Sequence, residues 1–229
     1  MEHRFIDQQL DFLRDKILLL GGMTETALQR AMRSLTERDS ILARKVLAED
    51  ETIDRMELEI DRLSIDIIGS QRHEAHDLRF VISVAKITPI LERIADHASN
   101  IAEAAIVLNN EPQVSSYIDM SMMAEIAAEM LRTALDAFTS EDAEVSRQVI
   151  KRDKEIDRAY NRVFGELIQG MIGNPLSVTA AAQLLFVAKH LERIGDYVKD
   201  ICELTVYLRE AAFIKHSQSI HMSEPPSIN

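Results

Sequence analysis

The side chains with the clearest chemical potential in this sequence are carboxylates spaced four residues apart, in pairs that recur along the chain. Residues 91–96 read Leu-Glu-Arg-Ile-Ala-Asp, and residues 191–196 read Leu-Glu-Arg-Ile-Gly-Asp. On a helix this spacing places both carboxylates on one face, where like charges repel by roughly 0.2–0.5 kcal/mol per pair. Four such pairs stand at corresponding positions: Asp50 and Asp54, Glu92 and Asp96, Asp153 and Asp157, and Glu192 and Asp196. A bound cation would offset the repulsion, and carboxylate oxygens suit Mg²⁺, Mn²⁺, Ca²⁺ or oxidised iron, with Zn²⁺ a further candidate.

The same acids also allow a second interpretation, as a polar surface in contact with solvent. The apolar residues of each helix lie on the opposite side, so the acids face away from the predicted core. Glu57 and Asp61 continue the first acidic strip, and Tyr160 takes the place of Glu57 in the second copy. Arg93 and Arg193 could neutralise part of the charge, although each is predicted to point away from the strip. The pattern alone leaves cation binding and a solvated face both open.

These acids belong to an internal repeat. Glu92 and Glu192 stand 100 residues apart, and Asp50 and Asp153 stand 103 apart. Apolar residues recur every three or four positions, which is typical of helices in a bundle. We predict an all-α fold of six long antiparallel helices, at roughly residues 7–37, 40–70, 77–109, 117–139, 141–170 and 176–213. They form two tandem, similar three-helix bundles, at roughly residues 1–112 and 113–213, followed by a disordered tail at 214–229.

Composition excludes several classes of protein. The 229 residues carry a formal net charge of −12, which disfavours nucleic acid as a partner because phosphate binding needs a basic surface. Cys202 is the only cysteine, so an intramolecular disulfide and a Cys-rich zinc site are excluded. No apolar run approaches the ~20 residues of a membrane span, and the N-terminal residues lack the pattern of a secretory signal. We therefore expect a cytoplasmic protein that reaches a membrane only through partners.

The other reactive residue types do not indicate catalysis, so we expect a protein that is not an enzyme. His73 and His76 are expected in a solvated loop, and His97 follows the first acidic motif. The sequence contains no Glu-x-x-His motif of di-iron bundles, no glycine-rich phosphate loop and no nucleophile elbow. Cys202 is expected to pack inside its helix. Pro89 should kink the third helix just before the first motif.

Residues 92–103, Glu-Arg-Ile-Ala-Asp-His-Ala-Ser-Asn-Ile-Ala-Glu, and their second copy resemble the hallmark motif of the PhoU family, the phosphate-specific transport system accessory proteins. The sequence Asp77-Leu78-Arg79 and the pair Asp50 and Asp54 are also similar to the family pattern. The resemblance implies two three-helix bundles, with metal ions, including multinuclear iron, at the paired acidic motifs. The implied metal ligands in this chain are Asp50, Asp54, Glu92, Asp96, Asp153, Asp157, Glu192 and Asp196.

The resemblance further implies a cytoplasmic negative regulator of the phosphate-starvation response. Such a protein is an adaptor between the cytoplasmic ATPase side of the phosphate ABC transporter and the phosphate sensor histidine kinase. When phosphate is plentiful, the kinase is held in its phosphatase-competent or inactive form and transporter activity is restrained. The implied partners are therefore the transporter and the kinase. A homodimer with a second copy of the chain is a further expectation, because helical bundles with methionine-rich surfaces often dimerise and the chain has ten methionines.

The second copy of the motif departs from the family pattern. Tyr197 stands in place of a histidine, and Lys199 and Asp200 stand in place of a small residue and an asparagine. Lys199 is predicted to fall off the acidic strip, whereas Asp200 adds an acid to it.

The alternative function is a non-regulatory helical metal-storage or redox protein that uses the carboxylate clusters chemically.

Overall fold

Helices account for nearly all of the residues that the computed structural model describes, which are 5–70, 74–112, 118–212 and 214. In these ranges the helices are α1 Phe5–Thr36, α2 Ser40–Ser70, α3 Ala75–Leu108, α4 Ile118–Ser140, α5 Ala143–Gly173 and α6 Val178–Glu210, with a 3₁₀ turn at Pro175–Ser177. The predicted all-α fold of six helices is confirmed, and each predicted end lies within three residues of the observed one. None of these helices contains an apolar stretch of the length that a membrane crossing requires. Apart from residue 214, the predicted tail lies outside the described residues, as does His73.

The turns before α2 and α5 repeat the same backbone geometry. Arg38 and Glu141 both adopt a left-handed conformation, with φ of 56° and 54°. Asp39 and Asp142 follow them, and each carboxylate accepts hydrogen bonds of 2.9 Å from two backbone amides in the first turn of the next helix. Aspartate side chains at this position accept hydrogen bonds from amides that have no partner within the helix. The sequence repeat is therefore also a structural repeat.

The helices pack as two triplets. α1, α2 and α3 contact one another, as do α4, α5 and α6, and the triplets meet where α3 packs on α6 and α1 packs on α4. The predicted apolar seams of α3 and α6 are confirmed as core, with these side chains fully buried or nearly so: Leu91, Ile94, Ala98, Ile101, Leu191, Ile194, Val198 and Ile201. Within the described ranges, α2 and α5 contact helices of their own triplet only. The predicted acids therefore lie where α2 packs on α3 in the first triplet and where α5 packs on α6 in the second.

α3 begins earlier than the sequence indicated and runs through its proline. Its first residue is Ala75, so His76 lies in the first helical turn, and the prediction of a loop there is wrong. The His76 Nε2 atom lies 2.8 Å from a carboxylate oxygen of Glu141, at the turn before α5. Pro89 is accommodated inside the helix. This continuous helix holds the first acidic motif in a fixed register with α2.

Candidate cation sites on the acidic faces

The contact between α2 and α3 brings together the acids predicted for the first site. Burial and the negative charges of Asp96, Glu57 and Asp54 together raise the pKa of Glu92 to about 7. Arg93 is a positive side chain that opposes this shift. A carboxyl group with such a pKa is half protonated near neutral pH, because its neighbours make the charged form costly. A cation placed among these groups would remove that cost.

Three further carboxyl groups of the same surface are perturbed in the same direction. Burial raises the pKa of Asp96, with Asp54 adding to the shift. Burial also raises the pKa of Asp54, with Asp50 the next contribution, and that of Glu57, where Asp61 adds most among the charges. We call Asp50, Asp54, Glu57, Glu92 and Asp96 the first acidic cluster.

Asp50 and Glu57 join this cluster in different ways. The Ser99 hydroxyl donates a hydrogen bond of 3.0 Å to Asp50 Oδ1, which ties α3 to the start of the acidic strip on α2. Glu57 acts electrostatically on Glu92, although it was not among the predicted ligands. Its position three residues after Asp54 placed it on the correct face, and that spacing is the signal that could have assigned it to the site.

In the second repeat, a lysine lies between the corresponding acids. The Lys199 ammonium donates to Asp153 Oδ2 at 2.9 Å and to Asp196 Oδ1 at 2.8 Å. Asp153 is only 8% exposed, so this carboxylate is paired away from bulk solvent. Burial by itself would lower the pKa of Lys199, but the hydrogen bonds to Asp196 and Asp153 outweigh it and hold that pKa above the usual value for lysine. The prediction that Lys199 falls off the acidic strip is wrong, because at about 100° per residue it lies only roughly 20° from Glu192 and one turn after Asp196.

A second lysine and an arginine add positive charge to the same place. The Lys189 ammonium donates to Glu192 Oε2 at 2.5 Å and lies 5.4 Å from the centre of the Tyr160 ring. Arg193 Nη1 is 3.6 Å from Asp196 Oδ2, so this arginine does approach the acids that it was predicted to point away from. We call Asp153, Asp157, Glu192 and Asp196 the second acidic cluster.

Lys189 and Lys199 form their ion pairs with the other three acids of the second cluster, and Asp157 is the remaining member. Burial raises its pKa, with Asp153, Glu192 and Asp196 adding to the shift and Lys199 opposing it. The eight predicted acids therefore come together as two groups of four. The groups differ in their neighbours, because Ser99, Pro89 and Glu57 of the first repeat correspond to Lys199, Lys189 and Tyr160 of the second.

Gly195 makes room for the buried acid of the second cluster. A Cβ atom at this position would lie 2.9 Å from Ile156 Cδ1 and 3.1 Å from Asp153 Oδ1. The corresponding residue of the first repeat is Ala95, which carries that methyl group. The exchange lets α5 approach α6 closely at the point where Lys199 binds Asp153.

The two clusters fit a metal ion to different degrees. In the part of the chain that the structure describes, no three His, Cys, Asp or Glu side chains are gathered closely enough to hold a metal ion as they stand. The first cluster offers carboxylate oxygens that repel one another, and such oxygens are the donors that hard cations prefer. In the second, the ammonium of Lys199 lies where such an ion would have to bind.

The histidine of the first motif is directed to the other triplet. His97 Nδ1 lies 2.9 Å from His190 Nδ1 on α6, and the His97 ring stacks on Tyr197 at 5.5 Å between ring centres. Burial and the charges of His190 and Arg193 together lower the pKa of His97 to about 4. His97 therefore belongs to the contact between α3 and α6. Nothing in the local sequence signals this partner, which is 93 residues away.

Comparison with known proteins assigns the family. The PhoU domain matches the chain twice, over residues 17–105 and 120–205. The chain belongs to the PhoU family. Each of the two matched ranges contains one of the acidic clusters, and together they cover most of both helical triplets.

PhoU relatives match over nearly the whole chain. The phosphate-specific transport system accessory protein PhoU homologue of Aquifex aeolicus is 33% identical over 209 residues, which are 91% of this chain and 95% of that protein. The crystal structure of PhoU from Pseudomonas aeruginosa superposes with a TM-score of 0.87 at 33% identity, covering 90% of this chain and 99% of that one. The phosphate transport system regulatory protein PhoU from Streptococcus pneumoniae gives a TM-score of 0.85 at 28% identity, covering 91% and 99%.

Proposed function

We propose that this PhoU-family protein is a cytoplasmic negative regulator of the phosphate-starvation response. It links the cytoplasmic ATPase side of a phosphate ABC transporter to a phosphate sensor histidine kinase and restrains phosphate uptake. The observation that carries the proposal is the double PhoU-domain match, together with relatives that align over most of their length and are named as phosphate-specific transport system accessory proteins. Its action is contact with partners, and it reaches the membrane through them.

The reactive side chains support a role without catalysis. Cys202 is fully buried, and burial raises the pKa of its thiol to about 12, so it is not a thiolate near neutral pH. His97 and His190 face each other in the contact between α3 and α6, and burial lowers the pKa of both. The alternative of a metal-storage or redox protein finds no support in these groups. It predicts metal-dependent turnover of peroxide or oxygen, which a direct assay would detect.

The first acidic cluster is the proposed metal site. Its five carboxyl groups offer oxygen ligands only, which favours Mg²⁺, Mn²⁺ or oxidised iron over Zn²⁺, because zinc sites usually include imidazole or thiolate. A cation here would neutralise Glu92, Asp96, Asp54 and their neighbours and hold α2 against α3. The acidic surface would then have a fixed shape and reduced charge when it meets a partner.

A phosphate-starvation reporter tests the proposed regulation. A host that lacks its own gene of this family is complemented with wild type or with empty vector, and alkaline phosphatase activity is measured in phosphate-rich medium. Wild type should silence the reporter, while empty vector leaves it active. Equal activity in the two strains, with the protein present at normal levels, would overturn the proposed function.

Light scattering on the purified protein tests the predicted homodimer.

A further inference from the structure

We infer that the second acidic cluster is not a metal site, because the chain supplies its own cation there in the side chain of Lys199. The metal content of the protein is therefore asymmetric, with uptake confined to the first repeat. The asymmetry between the repeats rests on the metal site proposed above for the first cluster. The exclusion of metal from the second cluster rests only on the contacts of Lys199 and its neighbours.

The position of the ammonium carries the argument. Lys199 Nζ bridges Asp153 on α5 and Asp196 on α6, at 2.9 and 2.8 Å. A metal ion bound in this cluster would be expected to bridge acids of the two helices in the same way. Lys189 neutralises Glu192 in the same cluster at 2.5 Å, and Arg193 approaches Asp196. Three of the four predicted ligands are thus already paired with side chains of this protein.

Displacement of these lysines by a metal ion would be costly. An incoming divalent ion would have to break the charge-assisted hydrogen bonds of Lys199 and leave its ammonium beside the new positive charge. Asp153 is buried, so the break would occur where solvent compensates little. A tethered ammonium also has a high local concentration, because its chain cannot diffuse away.

The first repeat has no lysine at the positions that match Lys199 and Lys189. Ser99 corresponds to Lys199, and its hydroxyl donates to Asp50, the residue that corresponds to Asp153. Pro89 corresponds to Lys189 and carries no charge. Tyr160, which lies under Lys189, replaces Glu57 of the first cluster. At these three positions the second repeat therefore has one acid fewer and two lysines more than the first.

A reciprocal exchange tests the inference. Full-length wild type, Lys199→Ser and Ser99→Lys are stripped with chelator and titrated with Mn²⁺, with uptake followed by calorimetry and electron paramagnetic resonance. Lys199→Ser should bind one more Mn²⁺ ion per chain than wild type. Ser99→Lys should lose the uptake of wild type, because the new ammonium can reach Asp50 and Asp96 as Lys199 reaches their counterparts. Lys199→Arg is the matched control and should bind as wild type does, since it keeps the positive charge.

Two further variants assign the ions to clusters. Glu192→Gln and Asp157→Asn, introduced together into wild type, should leave its Mn²⁺ uptake unchanged. The same pair introduced into Lys199→Ser should abolish the additional uptake. If Lys199→Ser proves unstable, Lys199→Gln removes the charge while keeping a hydrogen-bonding side chain of similar length, and the same additional uptake is expected. No additional uptake in either variant would overturn the inference, as would retention of uptake in folded Ser99→Lys.

The outcomes separate this inference from the proposed metal site. Uptake by Lys199→Ser but none by wild type would uphold the exclusion by lysine and reject the first cluster as a site. Wild-type uptake that falls on substitution in the second cluster would reject the exclusion and leave the first site intact. No uptake by any variant would reject both.

Discussion

Glu92 couples the first acidic cluster to pH. Its pKa in the folded protein is about 7, against an ordinary value of 4.5, because burial and neighbouring acids disfavour the carboxylate. The folded state therefore binds this proton more tightly than the unfolded state. The resulting stabilisation is fully present below pH 4.5 and is lost as pH rises through 7. Metal-free protein should accordingly be less stable at pH 8 than the same protein would be without this carboxyl group.

We predict that Glu92→Gln removes this pH dependence. Urea unfolding in the presence of chelator, measured between pH 5 and pH 8 for wild type and variant, should show wild type losing stability relative to Glu92→Gln as pH rises. The difference should be on the order of 1 kcal/mol or less, because solvent screens a partly exposed group. His97 acts in the opposite sense below its ordinary pKa but is present in both proteins and cancels in the difference. A constant difference across this range would contradict the assigned environment of Glu92.

Individual side chains also mark the limit of what the sequence predicted. Asp54, Glu92 and Asp96 were placed together correctly, because helical spacing fixes which residues share a face. The direction of Lys199 was mispredicted, although at about 100° per residue it lies roughly 20° from Glu192, so the spacing itself places it on the strip. The pairing of His97 with His190 joins two helices without any periodic signal, so it required the packing of α3 on α6.

At the scale of elements, the repeated caps set where α2 and α5 begin. Asp142 accepts two hydrogen bonds from the first amides of α5, and Asp39 does the same for α2. The sequence predicted both starts because Thr and Asp recur at matching positions before each helix. It missed the start of α5 by two residues, as it missed that of α3, where no side-chain cap is found. A capping residue therefore indicated that a helix begins nearby without fixing its first residue.

We predict that Asp142→Ala lowers the free energy of unfolding by about 1 kcal/mol, because two amides lose their acceptor. Chemical denaturation followed by circular dichroism measures the change. Glu166→Ala, which alters an exposed acid in the same helix, is the control and should change stability by less than about 0.5 kcal/mol. The cost of Asp39→Ala should add to that of Asp142→Ala, because the two caps lie in different repeats. A stable double variant would mean that the caps do not define these helices.

At the scale of the whole molecule, the two triplets share one core. Buried residues of all six helices in the described ranges form a continuous hydrophobic cluster. Phe80 of α3 and Phe138 of α4 stack across the triplets, with ring centres 5.6 Å apart, and both are almost completely buried. Each acidic cluster is consequently mounted on a scaffold that the other triplet helps to stabilise.

We predict that Phe138→Ala lowers the free energy of unfolding by about 3–5 kcal/mol, because it leaves a cavity beside Phe80. Thermal unfolding followed by circular dichroism should still show a single transition at a lower temperature, since neither triplet has a separate core. Phe186→Ala is the control, because that ring is 61% exposed and its loss should matter little. Two separate transitions in the variant would show that the triplets unfold independently.

The most direct test of the account compares the two acidic clusters in the cell. The phosphate-starvation reporter is measured in phosphate-rich medium with Glu92→Gln and Asp96→Asn together, and with the matched pair Glu192→Gln and Asp196→Asn. Equal protein levels and helical content are confirmed for both variants. The first pair should release the reporter from silencing, because it removes acids of the uncompensated cluster, whereas the second pair should keep it silent. Silencing by both variants, or its loss only in the second, would contradict the account.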